Sequence, residues 1–381
     1  MHRRALCLAF VCACGSPPIA GTPGPASPTP SPPSAAQASP TAAARAHFAI
    51  RGAEVIGRGV VDLEIDHGIV TAIGDVDPAI PGVDARGRFI APAFIDSHVH
   101  LAYWPVGEDL LDRGVVAVVD LAAPLAWLAA PVAPRELRVV ASGPMITARR
   151  GYPTRDWGAD GYGLEVGGPR EAEAAVDELH GRGARVIKLP ITDAPVLDER
   201  ALRAAVARAH HHGLKVASHA LSDAEARTAA AVGVDALAHT PVEPLADVAA
   251  WSGRAVVSTL AAFGGAPSAV DNLRRLRAAG AQVLYGTDLG NTRDAGISAE
   301  EITLLQAAGL DGQAILDAGT RLPAAYWGLL DAEGRGPGAL AVGGPADLLV
   351  LAADPRVTPT TLAAPEAVYV AGVRRGPLSD P

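Results

Sequence analysis

The chain has 381 residues, 49% of them hydrophobic and 19% charged, with a formal net charge of -9 at pH 7. That length holds a barrel of ~250 residues plus a smaller unit, and the composition is globular rather than disordered or fibrous. The acidic balance, with no basic stripe after the first residues, speaks against a nucleic-acid partner, because phosphate binding needs basic surface.

Met1-His2-Arg3-Arg4 is a short positive segment, and Ala5 through Ala13 is apolar. This run is too short for a membrane span (~20 residues) but suits the core of an export signal. All three cysteines fall here, and Val11-Cys12-Ala13-Cys14 resembles a bacterial lipoprotein processing box, in which Cys14 is lipidated and becomes the new N-terminus. The other reading is an ordinary secretory signal cut a little further on. Either way no cysteine pair remains for a disulfide. Residues 1–14 are thus read as the signal and 15–46 as a tether, since Gly15 to Arg45 holds nine prolines among small residues and cannot bury enough surface to fold. The expected placement is exported, periplasmic or at the outer membrane through a lipid anchor alone, with secretion as the alternative.

From Phe48 the pattern turns to short strands: Phe48 to Ile50, Gly59 to Ile65 and Gly68 to Gly74, with Asp66-His67-Gly68 as a hairpin turn. The same style returns at Ala346 to Leu351 and Ala367 to Gly372. Segments 47–90 and 335–381 are therefore expected to build one small β-sandwich from both ends of the folded chain. Between them, residues 91–334 alternate strands and helices, which predicts an α/β architecture with a (β/α)8 TIM barrel. The eight candidate strands are Phe94 to His98, Val115 to Asp120, Arg138 to Ser142, Arg185 to Leu189, Lys215 to His219, Asp235 to His239, Arg254 to Thr259 and Gln282 to Thr287. Ala and Leu at helical spacing predict helices over Pro169 to His180 and Glu199 to His211.

The chemistry-bearing residues stand at the carboxyl ends of these strands, where a barrel keeps its active site. His98 and His100 are two apart, so on a strand both project from one face and reach one ion together. Lys188 lies inside the apolar run Val186 to Leu189. A buried ammonium must be paired or neutralised, either by a salt bridge or by taking up carbon dioxide as a bridging carbamate. His219 and His239 end successive strands. Asp288 follows Gly286-Thr287 and either caps the next segment or binds an ion and takes a proton from its water. By contrast, His210-His211-His212 point about 100° apart on a helix and read as a C-terminal cap rather than a metal cluster. Tyr152 and Arg155, in the loop after the third strand, and Tyr103 with Trp104 are candidates for the pocket wall: a hydroxyl on the scissile carbonyl, an arginine on a substrate carboxylate.

With His98-Val99-His100, Lys188, His219, His239 and Asp288 in order, the chain resembles the amidohydrolase superfamily, in its imidazolonepropionase-like and prolidase-like branch. Gly143 to Thr147, Asp160 to Leu164 and Ala346 to Val350 also look like family sequence. The resemblance implies two divalent metal ions, zinc foremost: His98 and His100 on the buried ion, Lys188 as a CO2-derived carbamate between the two, and His219 and His239 on the outer one. It implies that Asp288 contacts the buried ion, acts as catalytic base and then passes its proton to the leaving amine. The implied reaction is hydrolysis of a C–N bond in a small amide such as a dipeptide, an N-acyl amino acid or a cyclic amide. Pro190-Ile191-Thr192-Asp193 replaces the glycine-rich loop common after the lysine in the peptidase branch. Two rivals stand beside this reading. One is a mononuclear imidazolonepropionase-like cyclic-amide hydrolase or deaminase, although imidazolonepropionase uses no bridging lysine; the other is a tethered, non-catalytic solute-binding barrel. Self-association into a homo-oligomer is left open.

Overall fold

The computed structural model describes residues 47–375. The leader, Cys14 and the tether, like the last six residues, lie outside the described residues. No helix among those described is long and apolar enough to cross a membrane.

The first segments form a hairpin meander. Strand Phe48–Val55 pairs antiparallel with Gly59–Asp66, which pairs with Ile69–Gly74. The connection between the last two is His67 and Gly68, with φ of 50° and 82°. Two consecutive left-handed residues are what a tight hairpin matched to strand twist requires. These strands join Phe89–Pro92 and, from the other end of the chain, Leu348–Leu351, Ala367–Val370 and Val373–Arg375. Together with the short strand Gly82–Asp84 they make one eight-stranded sheet. Its apolar face encloses Ile50, Val55, Leu63, Ile65, Val70, Ile90, Leu348 and Tyr369.

The barrel strands are parallel. Phe94–Val99, Val115–Asp120 and Arg138–Ala141 form one run, and Val186–Pro190, Lys215–His219, Ala236–Leu237, Ala255–Val257 and Gln282–Leu284 form the other. Backbone hydrogen bonds close the gaps: Arg185 N–H to Ala141 O at 3.0 Å on one side, and Ser97 N–H to Tyr285 O at 2.9 Å with Asp288 N–H to His98 O at 2.9 Å on the other. Every residue of the first two strands is buried, as expected of strands covered on both faces. Inside the barrel Val119, Val140, Val186, Ala217, Ala255, Val257 and Leu284 pack around Trp327, so the barrel is a filled core.

The helices start where side chains supply caps. Pro169 opens Pro169–Gly181, the Asp198 carboxylate accepts the Ala201 N–H before Glu199–His211, and Ser222 with Glu225 forms a capping box before Asp223–Val232. After the third barrel strand come two elements that the hydrophobic pattern does not reveal. Met145–Ala148 and Gly163–Val166 pair in parallel, and the loop between them carries Tyr152, Arg155, Trp157 and Tyr162.

Candidate metal centre

His98 and His100 sit at the end of the first barrel strand with rings 5.1 Å apart, and Asp288 reaches them from just beyond the eighth. Asp288 Oδ1 lies 3.5 Å from His98 Nε2 and 3.1 Å from His100 Nε2. The three side chains are buried, with one ligand atom from each within 4.8 Å of the others, a group able to hold a metal ion. The local sequence makes this approach feasible. A Cβ on Gly286 would meet Val257 Cγ1 at 2.3 Å, so only glycine lets the eighth strand run this close to its neighbours. A Cβ on Gly290 would stand 2.8 Å from His100 Cβ.

The ligand orientations are set by hydrogen bonds. His98 Nδ1 lies 2.7 Å from the Ala238 carbonyl, which can only accept, so that nitrogen carries the proton and Nε2 keeps its lone pair. His239 Nδ1 lies 3.0 Å from Thr259 Oγ1. Asp96 anchors the strand ends: it accepts from Thr287 Oγ1 at 2.5 Å, Thr287 N–H at 3.1 Å and His98 N–H at 3.0 Å. Its burial pushes its pKa up to about 7 against the pull of these donors. Asp120 accepts from Leu101 N–H at 2.9 Å and so fixes the chain just past His100.

Lys188 is fully buried, and among the described residues its Nζ has no hydrogen-bond partner. Burial lowers its pKa to about 7, with Asp288 pulling the other way. Burial, followed by the charge on Lys188, holds His98 well below the ordinary histidine range. Burial does the same to His239, helped by neighbouring imidazoles. His219 is half-buried at the mouth and is likewise held down by desolvation and by Lys188. The imidazoles of His98, His219 and His239 are therefore in the neutral, ligating form.

Among the described residues, His98 Nε2, His100 Nδ1 and Lys188 Nζ are buried without hydrogen-bond partners. Unsatisfied buried groups are costly, and the lone pair of His98 Nε2 facing the Asp288 carboxylate is a donor pair that a divalent cation would satisfy. His239 lies 4.4 Å ring to ring from His98, and His219 lies 4.9 Å from His239, so all six sequence-predicted metal residues gather at one end of the barrel. The compact three-residue cluster, however, comprises only His98, His100 and Asp288.

The predicted wall residues are distributed differently. The Tyr152 ring lies 4.9 Å from that of His219, tilted against it, and its hydroxyl accepts a hydrogen bond from Trp157 Nε1 at 2.8 Å. Tyr103 packs 5.5 Å from Trp157, while Arg155 is exposed. Trp157, whose ring is 5.0 Å from His100, and Phe263, 5.1 Å from His239, escape sequence reasoning because no local pattern connects them to the histidines. Thr259 was visible only as the last residue of the seventh candidate strand.

The model of the amidohydrolase family matches residues 179–375, about half of the chain, a span that includes Lys188, His219, His239 and Asp288. The chain belongs to the amidohydrolase family. An uncharacterized protein of Mycobacterium tuberculosis is 28% identical over 333 residues, covering 76% of this amidohydrolase and 86% of the relative. Among solved structures, a Xaa-Pro dipeptidase with bound methionine superimposes with a TM-score of 0.72 at 20% identity, over 87% of this chain and 100% of that one. A putative prolidase from Bifidobacterium longum gives 0.71 at 22% identity, over 88% and 96%. Likenesses at that identity establish the shared barrel fold, and the chemistry has to be argued from the site.

Proposed function

We propose that this amidohydrolase is a metal-dependent hydrolase of the C–N bond in a small amide, a dipeptide or N-acyl amino acid being the preferred classes. The observation that carries it is the cluster of His98, His100 and Asp288 beside an unpartnered, buried Lys188. His98 and His100 with Asp288 would hold one divalent ion, zinc best suiting the imidazole and carboxylate donors. Lys188, close to neutrality as an amine, is suited to take up carbon dioxide, and its carbamate with His219 and His239 would hold a second. When bound, such ions supply Lewis acidity that acidifies a water and polarises a carbonyl. Asp288 accepts the proton of the attacking water and returns it to the leaving amine. Asp96, Thr259 and the Ala238 carbonyl hold these groups in place, so that little reorganisation is needed during reaction. Tyr152, its ring 4.9 Å from that of His219, would bear on the substrate carbonyl. Residues 1–46 support an exported enzyme held to a membrane by lipid on Cys14.

Elemental analysis of the purified chain, paired with a hydrolysis screen over dipeptides and N-acyl amino acids, tests this reading. About two ions per chain are expected, and Asp288→Asn should cost roughly 10²–10⁴-fold in turnover. One ion per chain with an unmodified Lys188 would assign the chemistry to the three-residue cluster alone. Full turnover by Asp288→Asn would sink the assignment of the base.

A further inference from the structure

The chain has five Trp, six Tyr and five Phe, and Tyr103, Trp104, Tyr152, Trp157, Tyr162 and Phe263 all gather around the histidine cluster. They form a wall that leads from His100 to Trp157, then to Tyr103, and reaches solvent at Tyr103 and Trp104, each 37% exposed. At its outer end lies Arg293, its guanidinium 4.3 Å from the centre of the Trp104 ring and 5.4 Å from that of Tyr103.

Arg293 is tied to the chemistry by a tight turn. Thr292 N–H donates to Asp288 O at 3.0 Å, Thr292 Oγ1 donates to Thr287 O at 3.1 Å, and Asn291 Nδ2 donates to the Asp288 carboxylate at 3.1 Å. The turn that presents Asp288 to the metal ligands therefore also sets the root of Arg293. Among the described residues no carboxylate pairs with Arg293 and no acceptor takes its N–H groups, although Asp294 is its neighbour in sequence. The two rings hold the guanidinium in place while its N–H groups meet no acceptor among the described residues, an arrangement that receives a carboxylate with little further ordering.

We propose that Arg293 is a specificity-determining residue that binds a carboxylate of the substrate. Resting on the hydrolase reading above, this narrows the substrate class to amides with a free carboxylate and an apolar side chain, the carboxylate on Arg293 and the side chain against the aromatic wall. A substrate ending in a cation meets Arg293 as a like charge on faces that the guanidinium already covers.

The test uses the metal-loaded full chain with N-acetylphenylalanine and its carboxamide, each enantiomer separately. Binding is read by calorimetry and hydrolysis by acetate release. The acid should bind wild type about tenfold or more tightly than the carboxamide. Arg293→Met should close that gap and raise KM for the acid far more than it lowers kcat, while Arg293→Lys keeps part of the preference. A wild type without preference for the acid, or an Arg293→Met that keeps it, overturns the proposal. Binding that prefers the acid without acetate release supports the role of Arg293 and counts against the hydrolase reading. Turnover of both probes alike does the reverse.

Discussion

Thr259 and Asp288 lie just past the seventh and eighth strands with φ of 43° and 56°, left-handed values that a non-glycine residue adopts at a cost of about 1–3 kcal/mol. Each turns a side chain into the site in return: Asp288 toward His98 and His100, Thr259 toward His239 Nδ1. A ring nitrogen held in this way leaves the other to ligate, and such supporting contacts are typically worth 10–100-fold in metal affinity. Thr259→Val preserves the shape and removes the hydrogen bond, so it should weaken metal binding by about that factor in a chelator competition, with Thr259→Ser close to wild type. Unchanged affinity in Thr259→Val would remove His239 from the ligand set. His98 and His100 were legible in sequence because they end an apolar run, Lys188 because it interrupts one, and Asp288 because it follows the small residues Gly286-Thr287 after the last strand. Thr259, Trp157 and Arg293 break no pattern, and only contacts distant in sequence distinguish them.

Between elements, the run His210-His211-His212 shows how a sequence cluster resolves. It occupies the last turn and cap of Glu199–His211, as the helical spacing predicts. There His210 pairs with Asp235 at 2.8 Å, and His212 pairs with Asp177 at 2.7 Å while stacking on His180 at 4.1 Å. Asp177 also takes two hydrogen bonds from Arg208, which cross-link the helices Pro169–Gly181 and Glu199–His211. These partners, Arg208 first, lower the Asp177 pKa to about 2 from an unfolded value near 3.8. A depressed carboxylate stabilises the fold above its unfolded pKa and loses that contribution as pH falls through the folded one. The gap in melting temperature between wild type and Asp177→Asn should therefore be full above pH ~4 and close toward pH ~2. A gap that stays constant across that range would show the pair to be idle, as many exposed ion pairs are.

In the whole molecule, the barrel is entered and left through one sheet. Phe89–Pro92 leads directly into the first barrel strand and pairs antiparallel with Leu348–Leu351, Leu348 opposite Pro92 and Leu351 opposite Phe89. The buried Asp347 seals the junction by accepting the Ala371 N–H at 2.7 Å. Removing the last strands would leave Ile90 and Ala91 on an unpaired edge and open the apolar face that Leu348, Val350 and Tyr369 cover. A chain ending at residue 345 should therefore give no cooperative unfolding transition by circular dichroism. A soluble, metal-binding product with native melting would show that the barrel stands without the sheet.

Most strands and helices, and the imidazoles, amine and carboxylate they carry, are legible along the chain because hydrophobic period and chain order are local properties, with Met145–Ala148 and Gly163–Val166 as exceptions. Val115–Asp120 and Lys215–His219 span just the residues that the pattern predicts, whereas the sixth and seventh strands shrink to Ala236–Leu237 and Ala255–Val257. Only the folded chain shows that Asp288 meets His98 across 190 positions, that Lys188 Nζ finds no hydrogen-bond partner among the described residues, and that the aromatic wall ends in Arg293. The physical reason is that closing a barrel brings strand ends together through backbone hydrogen bonds and packing, and such contacts leave no periodic trace in the chain that makes them.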